Sequence, residues 1–182
     1  VLGIIPCGRG NDLAGVLNIP HQFPGIVSTL LTGREVTIDI GKIGERHFCT
    51  VACLGFDAET ARLVHNGSVP FSGSFAYIYA VLKTLRKFRS PEIRLEGDFG
   101  IYEGPVLLAA AGNTTTYGGG LKITPTALYN DGIFDVCVIQ PISSLTLIRV
   151  FSTLFSGTHI KLPFVDIFRT TYLNVESAQP LW

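Results

Sequence analysis

The chain has 182 residues, enough for one domain, or one and a fraction, around a real core. Its 14 Lys and Arg balance 14 Asp and Glu, so no bulk charge advertises a nucleic-acid partner, and any polyanion binding is local. Hydrophobic residues make up 47%, yet no apolar run reaches the roughly 20 residues that a membrane-spanning helix needs.

Val1-Leu2-Gly3-Ile4-Ile5 reads as a buried strand. It opens the chain without an initiator Met or a signal-peptide pattern, so the chain is expected to begin inside a domain. The Gly-rich run Pro6-Cys7-Gly8-Arg9-Gly10-Asn11-Asp12 follows as a turn into a helix over 13–17, with Asn11 or Asp12 placed to cap its free amides. The spacing of Phe23, Ile26, Val27, Leu30 and Leu31 predicts a second helix over 23–31, stopped by Thr32-Gly33. Residues 1–33 thus read as the end of an α/β unit.

From residue 34 the pattern changes to short strands. Residues 35–43 alternate, Gly44-Glu45-Arg46 turns, and 47–54 returns, which is a hairpin signal. Further strands are expected at 92–96, 104–111, 132–140 and 169–176, between Gly, Pro and Asn turns. One helix interrupts them at 71–88, with Phe71, Phe75, Ile78, Leu82 and Leu85 on one face and Lys83, Arg86, Lys87 and Arg89 near its C-terminal end. The fold class expected is α+β, with an antiparallel β-sandwich over 34–182. Cys49 and Cys53, four apart on an expected strand, lie about 13 Å from each other, beyond disulfide reach, and with Cys7 and Cys137 they read as buried reduced thiols.

A Gly-x-Gly turn between strand and helix brings main-chain amides close to a ligand, the arrangement that cradles phosphate. Gly8 and Gly10 give that close approach, with Asn11 and Asp12 as polar side chains for a nucleotide or a metal-bound water. Taken alone the motif is equally an ordinary turn with an Asn/Asp cap. Three further segments stand beside it in order. These are Leu54-Gly55-Phe56-Asp57-Ala58-Glu59, the run from Gly112-Asn113 through Tyr117-Gly118-Gly119-Gly120 to Pro125-Thr126-Ala127, and Asn130-Asp131-Gly132-Ile133-Phe134-Asp135-Val136.

Together the four segments resemble the diacylglycerol kinases and their bacterial lipid-kinase and sphingosine-kinase relatives, over nearly the whole chain. The resemblance implies an α/β nucleotide-binding domain ending at residue 33 and a β-sandwich lipid- and metal-binding domain over 34–182. It implies ATP at Gly8, Arg9, Gly10, Asn11 and Asp12, with Arg9 standing where the family usually has Thr; a guanidinium there still suits phosphate. It implies Mg²⁺ at the Asp131 carboxylate with the main-chain carbonyls of Leu128 and Ile133, an all-oxygen set of the kind Mg²⁺ takes. Read from the residues alone, Asp131 is a turn Asp.

The activity implied is transfer of the γ-phosphate of ATP to diacylglycerol or a related lipid, at the membrane surface of a cytoplasmic protein. The family's Gly-Gly-Asp-Gly-Thr loop would precede residue 1, and its Asp-Gly-Glu segment, with the catalytic base, would follow residue 182. No catalytic residue is therefore expected in this chain, and the chain alone is expected to be inactive. A sphingoid-base kinase, an NAD-kinase-like phosphotransferase and a non-catalytic lipid-binding sandwich are the alternatives. His159, matching a recurrent family His, reads as a structural hydrogen-bond partner, and His21, His47 and His65 have no partner spacing.

Overall fold

The computed structural model of the protein describes residues 1–8, 10–66 and 74–181. Arg9, the first residues of the helix expected at 71–88, and Trp182 lie outside the described residues.

Residues 1–5 do not form the expected strand. A strand needs a hydrogen-bonded neighbour, no strand pairing includes these residues among those described, and Val1 and Leu2 stand exposed. The turn then enters α1 (Asp12–Val16). Asn11 sits in the left-handed region at φ 53°, and no side chain caps α1, so the expected Asn/Asp cap is not made. Helix α2 (Phe23–Thr32) carries Pro24 in its first turn, where a missing N–H costs nothing, and buries Ile26.

The hairpin forms, but shorter than expected: β1 (Gly41–Ile43) pairs with β2 (Arg46–Phe48) across Gly44-Glu45, with Gly44 at φ 56°. The strand expected at 47–54 bends at Cys49-Thr50. The Asn113 side chain donates to Cys49 O (2.9 Å) and the Asn113 amide to Thr50 O (2.8 Å), diverting both carbonyls from a ladder. Strand β3 (Val51–Gly55) resumes, and Gly55 at φ 96° turns it into α3 (Phe56–His65), a helix not foreseen, although Phe56, Thr60 and Leu63 have helical spacing. Helix α4 (Ser74–Lys87) packs beside α3.

Next come β4 (Glu92–Gly97) and β5 (Gly100–Pro105), a hairpin, then β6 (Leu108–Gly112) and β7 (Phe134–Ile139). The strand expected at 104–111 is therefore two strands, because Pro105 has no N–H for the ladder and the Val106 amide donates to Pro91 O instead. Two short helices, α5 (Ser144–Val150) and α6 (Thr153–Ser156), and a 3₁₀ turn (Thr158–Lys161) precede β8 (Val165–Thr170) and β9 (Asn174–Ser177). Residues 169–176, expected as one strand, divide where the Asp98 carboxylate binds the Thr171 amide (2.7 Å) and the hydroxyls of Thr170 and Thr171.

Strands β3-β6-β7-β8 make a four-stranded antiparallel sheet and β5-β4-β9 a three-stranded one. In the larger sheet Leu108 pairs with Ile139 and Ala110 with Cys137; these face α3, α4 and α6 with Phe56, Val81, Leu85 and Leu154. The opposite parity, Ala109, Val136 and Val138, meets Ile93 and Leu95 of the smaller sheet. Alternation thus gives each face its own core, and the small alanines of β6 let neighbouring layers approach. The fold is α+β with the expected antiparallel sandwich. The four cysteines are free, but Cys137 alone is fully buried: Cys53 is half-buried on the edge strand β3, Cys49 is half-buried at the bend before it, and Cys7 is exposed on a segment that pairs with no strand among the described residues.

Candidate functional site

The run Tyr117-Gly118-Gly119-Gly120-Leu121 closes on itself, Tyr117 and Leu121 exchanging backbone hydrogen bonds of 3.0 Å each way. Gly118, Gly119 and Gly120 lie at φ 61°, 87° and 106°, which L side chains rarely adopt, so three glycines in a row are a backbone requirement. The loop meets the Gly-rich turn of residues 6–12. The Asp12 carboxylate accepts from the Gly119 amide (2.9 Å) and the Gly120 amide (2.8 Å). A Cβ at Gly10 would lie 2.8 Å from Asp12 Oδ2 and 3.3 Å from the Gly119 nitrogen, so a glycine lets the two segments touch. Asn11 closes the turn from within: its Oδ1 accepts from the Gly8 amide and its Nδ2 donates to Gly8 O, both at 2.8 Å. Among the described residues of the expected nucleotide set, Gly8, Gly10, Asn11 and Asp12 therefore form one fixed turn docked on the glycine loop.

The same loop reaches the first turn of α3, where the Tyr117 hydroxyl donates to Asp57. Burial pushes the Asp57 carboxyl up from its usual range, and the Tyr117 hydrogen bond opposes that shift. Beside it, burial and the Asp57 charge push the Cys53 thiol up to about 12. That thiol stays protonated and is no nucleophile at neutral pH.

The second set lies at the turn before β7. Asp131 Oδ1 accepts from the Ile133 amide (3.1 Å), and Oδ2 accepts from Arg169 Nη2 (2.5 Å). Arg169 Nε also donates to Asp135 Oδ1 (3.2 Å), whose other oxygen accepts from the Thr126 hydroxyl (2.5 Å). Asp39 braces the turn from outside: Oδ2 accepts from the Gly132 amide (2.7 Å), and its own amide donates to Tyr129 O (2.7 Å). Asn113 in turn donates to Asp39 O (2.8 Å), tying this turn to the start of the glycine-loop segment.

Among the described residues no three His, Cys, Asp or Glu side chains gather as a metal group. The set expected at Asp131 is of another kind, one carboxylate that would be joined by the main-chain carbonyls of Leu128 and Ile133, and an all-oxygen set is the chemistry that suits Mg²⁺. Each Asp131 oxygen carries one hydrogen bond and retains a lone pair, and Leu128 lies exposed at the rim.

His159 is buried, and its Nε2 donates to Ile123 O at 3.1 Å. Burial pushes its pKa down, with the backbone of Ile123 and Thr153 opposing. It is a core hydrogen-bond partner. Asp39, Asp57, Asp135 and Arg169 belong to these networks without having been singled out from sequence. The glycine preceding Asp57 by two positions and the turn spacing of Asp135 carried some signal; Arg169, distant in sequence from its partners, carried none.

Residues 50–182 match the family described as the YegS C-terminal NAD kinase beta sandwich-like domain, and residues 1–43 match the diacylglycerol kinase catalytic domain. A protein of Mycobacterium tuberculosis named diacylglycerol kinase is 37% identical over 96% of this chain and 59% of its own length. A diacylglycerol kinase of Staphylococcus carnosus is 28% identical over 99% of the chain and 59% of its own. The chain thus spans about 59% of the length of these relatives. A crystal structure of a diacylglycerol kinase from Bacillus anthracis superposes with a TM-score of 0.66 at 22% identity, covering 96% of this chain and 57% of that one, a likeness of fold.

Proposed function

Because this chain belongs to the family of the YegS C-terminal NAD kinase beta sandwich-like domain, preceded by the end of a diacylglycerol kinase catalytic domain, we propose that the protein carrying it is an ATP-dependent lipid kinase. The γ-phosphate of ATP passes to the hydroxyl of diacylglycerol or a related lipid, ADP leaves, and the hydroxyl proton goes to a base outside residues 1–182. The domain boundary falls at residues 33 and 34. The protein works at a membrane surface; no helix among the described residues is long and apolar enough to span one.

The observation that carries this reading is the docking of Asp12 on the Gly119 and Gly120 amides. Phosphoryl transfer depends on positioning, and this contact locks the nucleotide-side turn to a loop of the sandwich in one register. Gly8, Arg9, Gly10, Asn11 and Asp12 border the nucleotide phosphates. Asp131 with the carbonyls of Leu128 and Ile133 would hold Mg²⁺, which would supply positive charge to offset that of the phosphates.

The test is phosphate transfer from labelled ATP by the full-length protein, offered diacylglycerol, a sphingoid base or NAD. Label in diacylglycerol is the expected result. Label in the sphingoid base or NAD with none in diacylglycerol would replace the acceptor. Lipid binding without ATP consumption would make the protein a binding module.

A further inference from the structure

The Asp131 turn already holds a cation, and it comes from the protein itself. Arg169, on β8, presents the edge of its guanidinium that carries Nε and Nη2. This edge usually grips both oxygens of one carboxylate. Here it is divided, Nη2 on Asp131 Oδ2 at 2.5 Å and Nε on Asp135 Oδ1 at 3.2 Å. The two carboxylates differ in what they need. Asp135 is 1% exposed and keeps a second partner in the Thr126 hydroxyl, so its charge is committed to the interior. Asp131 is more exposed at 21%, and the Arg169 side chain is 53% exposed, so the Nη2 end of the bridge lies toward solvent. The bridge therefore has a buried end on Asp135 and an exposed end on Asp131.

We propose that Arg169 and a divalent cation compete for the Asp131 carboxylate, so that Arg169 sets the affinity of the turn for Mg²⁺. The inference rests on the reading that Asp131 is a metal ligand. Two cations beside one carboxylate repel each other, and one of the two Asp131 oxygens already carries Nη2. The consequence is a weak site, filled when Mg²⁺ is abundant, in which the arginine holds the turn in shape when the metal is absent. The divided fork is the specific feature. A lysine at 169 could neutralise one carboxylate but has no second nitrogen fixed toward the other.

The test is cation binding to the full-length protein, with Mn²⁺ as a paramagnetic probe displaced by Mg²⁺, read by electron spin resonance without nucleotide or lipid. Arg169→Leu should bind at least tenfold more tightly than the parent, about 1.4 kcal/mol. Arg169→Lys, which keeps a charge near Asp135, controls for folding and should fall between. Asp131→Asn should abolish binding in either background. Asp131-dependent binding that is unchanged or weaker in both Arg169 variants overturns the competition while leaving the metal reading in place. Absence of Asp131-dependent binding in every protein overturns both.

Discussion

Asp57 is the residue whose surroundings speak most directly through pH. Its carboxyl is raised by burial in the folded protein, so the neutral form is the one folding favours. A carboxyl whose folded pKa lies above its unfolded value contributes stability in full below the unfolded value, near 3.8, and loses it as pH rises through the folded one. Asp57→Asn cannot ionise and keeps an oxygen for the Tyr117 hydroxyl. The variant should therefore gain in unfolding temperature relative to the parent as pH climbs from about 4 toward neutrality. Thermal unfolding of both proteins across that range checks it, and a difference constant with pH would remove Asp57 from the account. Asp57 was visible in sequence as one letter of a motif. Its burial and its tyrosine partner, 60 residues away, were not.

Among the elements, β6 shows how closely a strand is fitted to its surroundings. At its end Gly112 faces Thr124, and a Cβ there would lie 2.0 Å from Thr124 Oγ1 and 2.8 Å from its Cβ. Thr124 is wholly buried, and its hydroxyl donates to Thr114 O at 2.8 Å, so it has little freedom to retreat. Gly112→Ala should destabilise the fold by about 1–3 kcal/mol through overpacking. That corresponds to a fall of about 2–4 °C in unfolding temperature per kcal/mol at this size. Calorimetry on the parent and variant measures it, and an unchanged midpoint would mean that the Thr124 region yields. Elements with clear periodicity, α2 and β4, were read from sequence to within a residue. Strands expected at 104–111 and 169–176 were read as single from their β-branched, aromatic and apolar composition between turns. Ladder pairing, which composition does not record, ends at Pro105 and Thr170.

At the scale of the molecule, the proposed work at a membrane surface calls for a face that would meet the bilayer. Helix α4 turns Ala80, Val81 and Leu85 toward the interior, so much of its apolar face serves packing. Tyr79 and Leu82 remain exposed beside Lys83 and Arg86, at positions three and four apart on one stripe, and Lys83 lies over the Tyr79 ring at 5.8 Å. Such a stripe pairs apolar contact with attraction to anionic headgroups. Sedimentation of the full-length protein with anionic vesicles should fall as salt shortens the Debye length below about 10 Å. It should fall further for the combined Lys83→Ala, Arg86→Ala and Lys87→Ala variant. Equal sedimentation of that variant and the parent would assign α4 to packing alone.

The sequence by itself determined helices such as α2 and α4, strands such as β4, glycines that turns require and the four segments that mark the family, because each is written in neighbouring residues. Periodicity states which face of a segment is buried, and the left-handed backbone positions among the described residues fall on glycine or asparagine. Only the tertiary structure decided what those segments touch. Asp12 meets amides 107 and 108 residues away. Arg169 bridges carboxylates 34 and 38 residues back. Residues 1–5, apolar enough to read as a strand, remain unpaired. A hydrogen bond between distant residues depends on how sheets and helices stack, and that stacking is set by the whole set of buried faces, beyond any local run of residues.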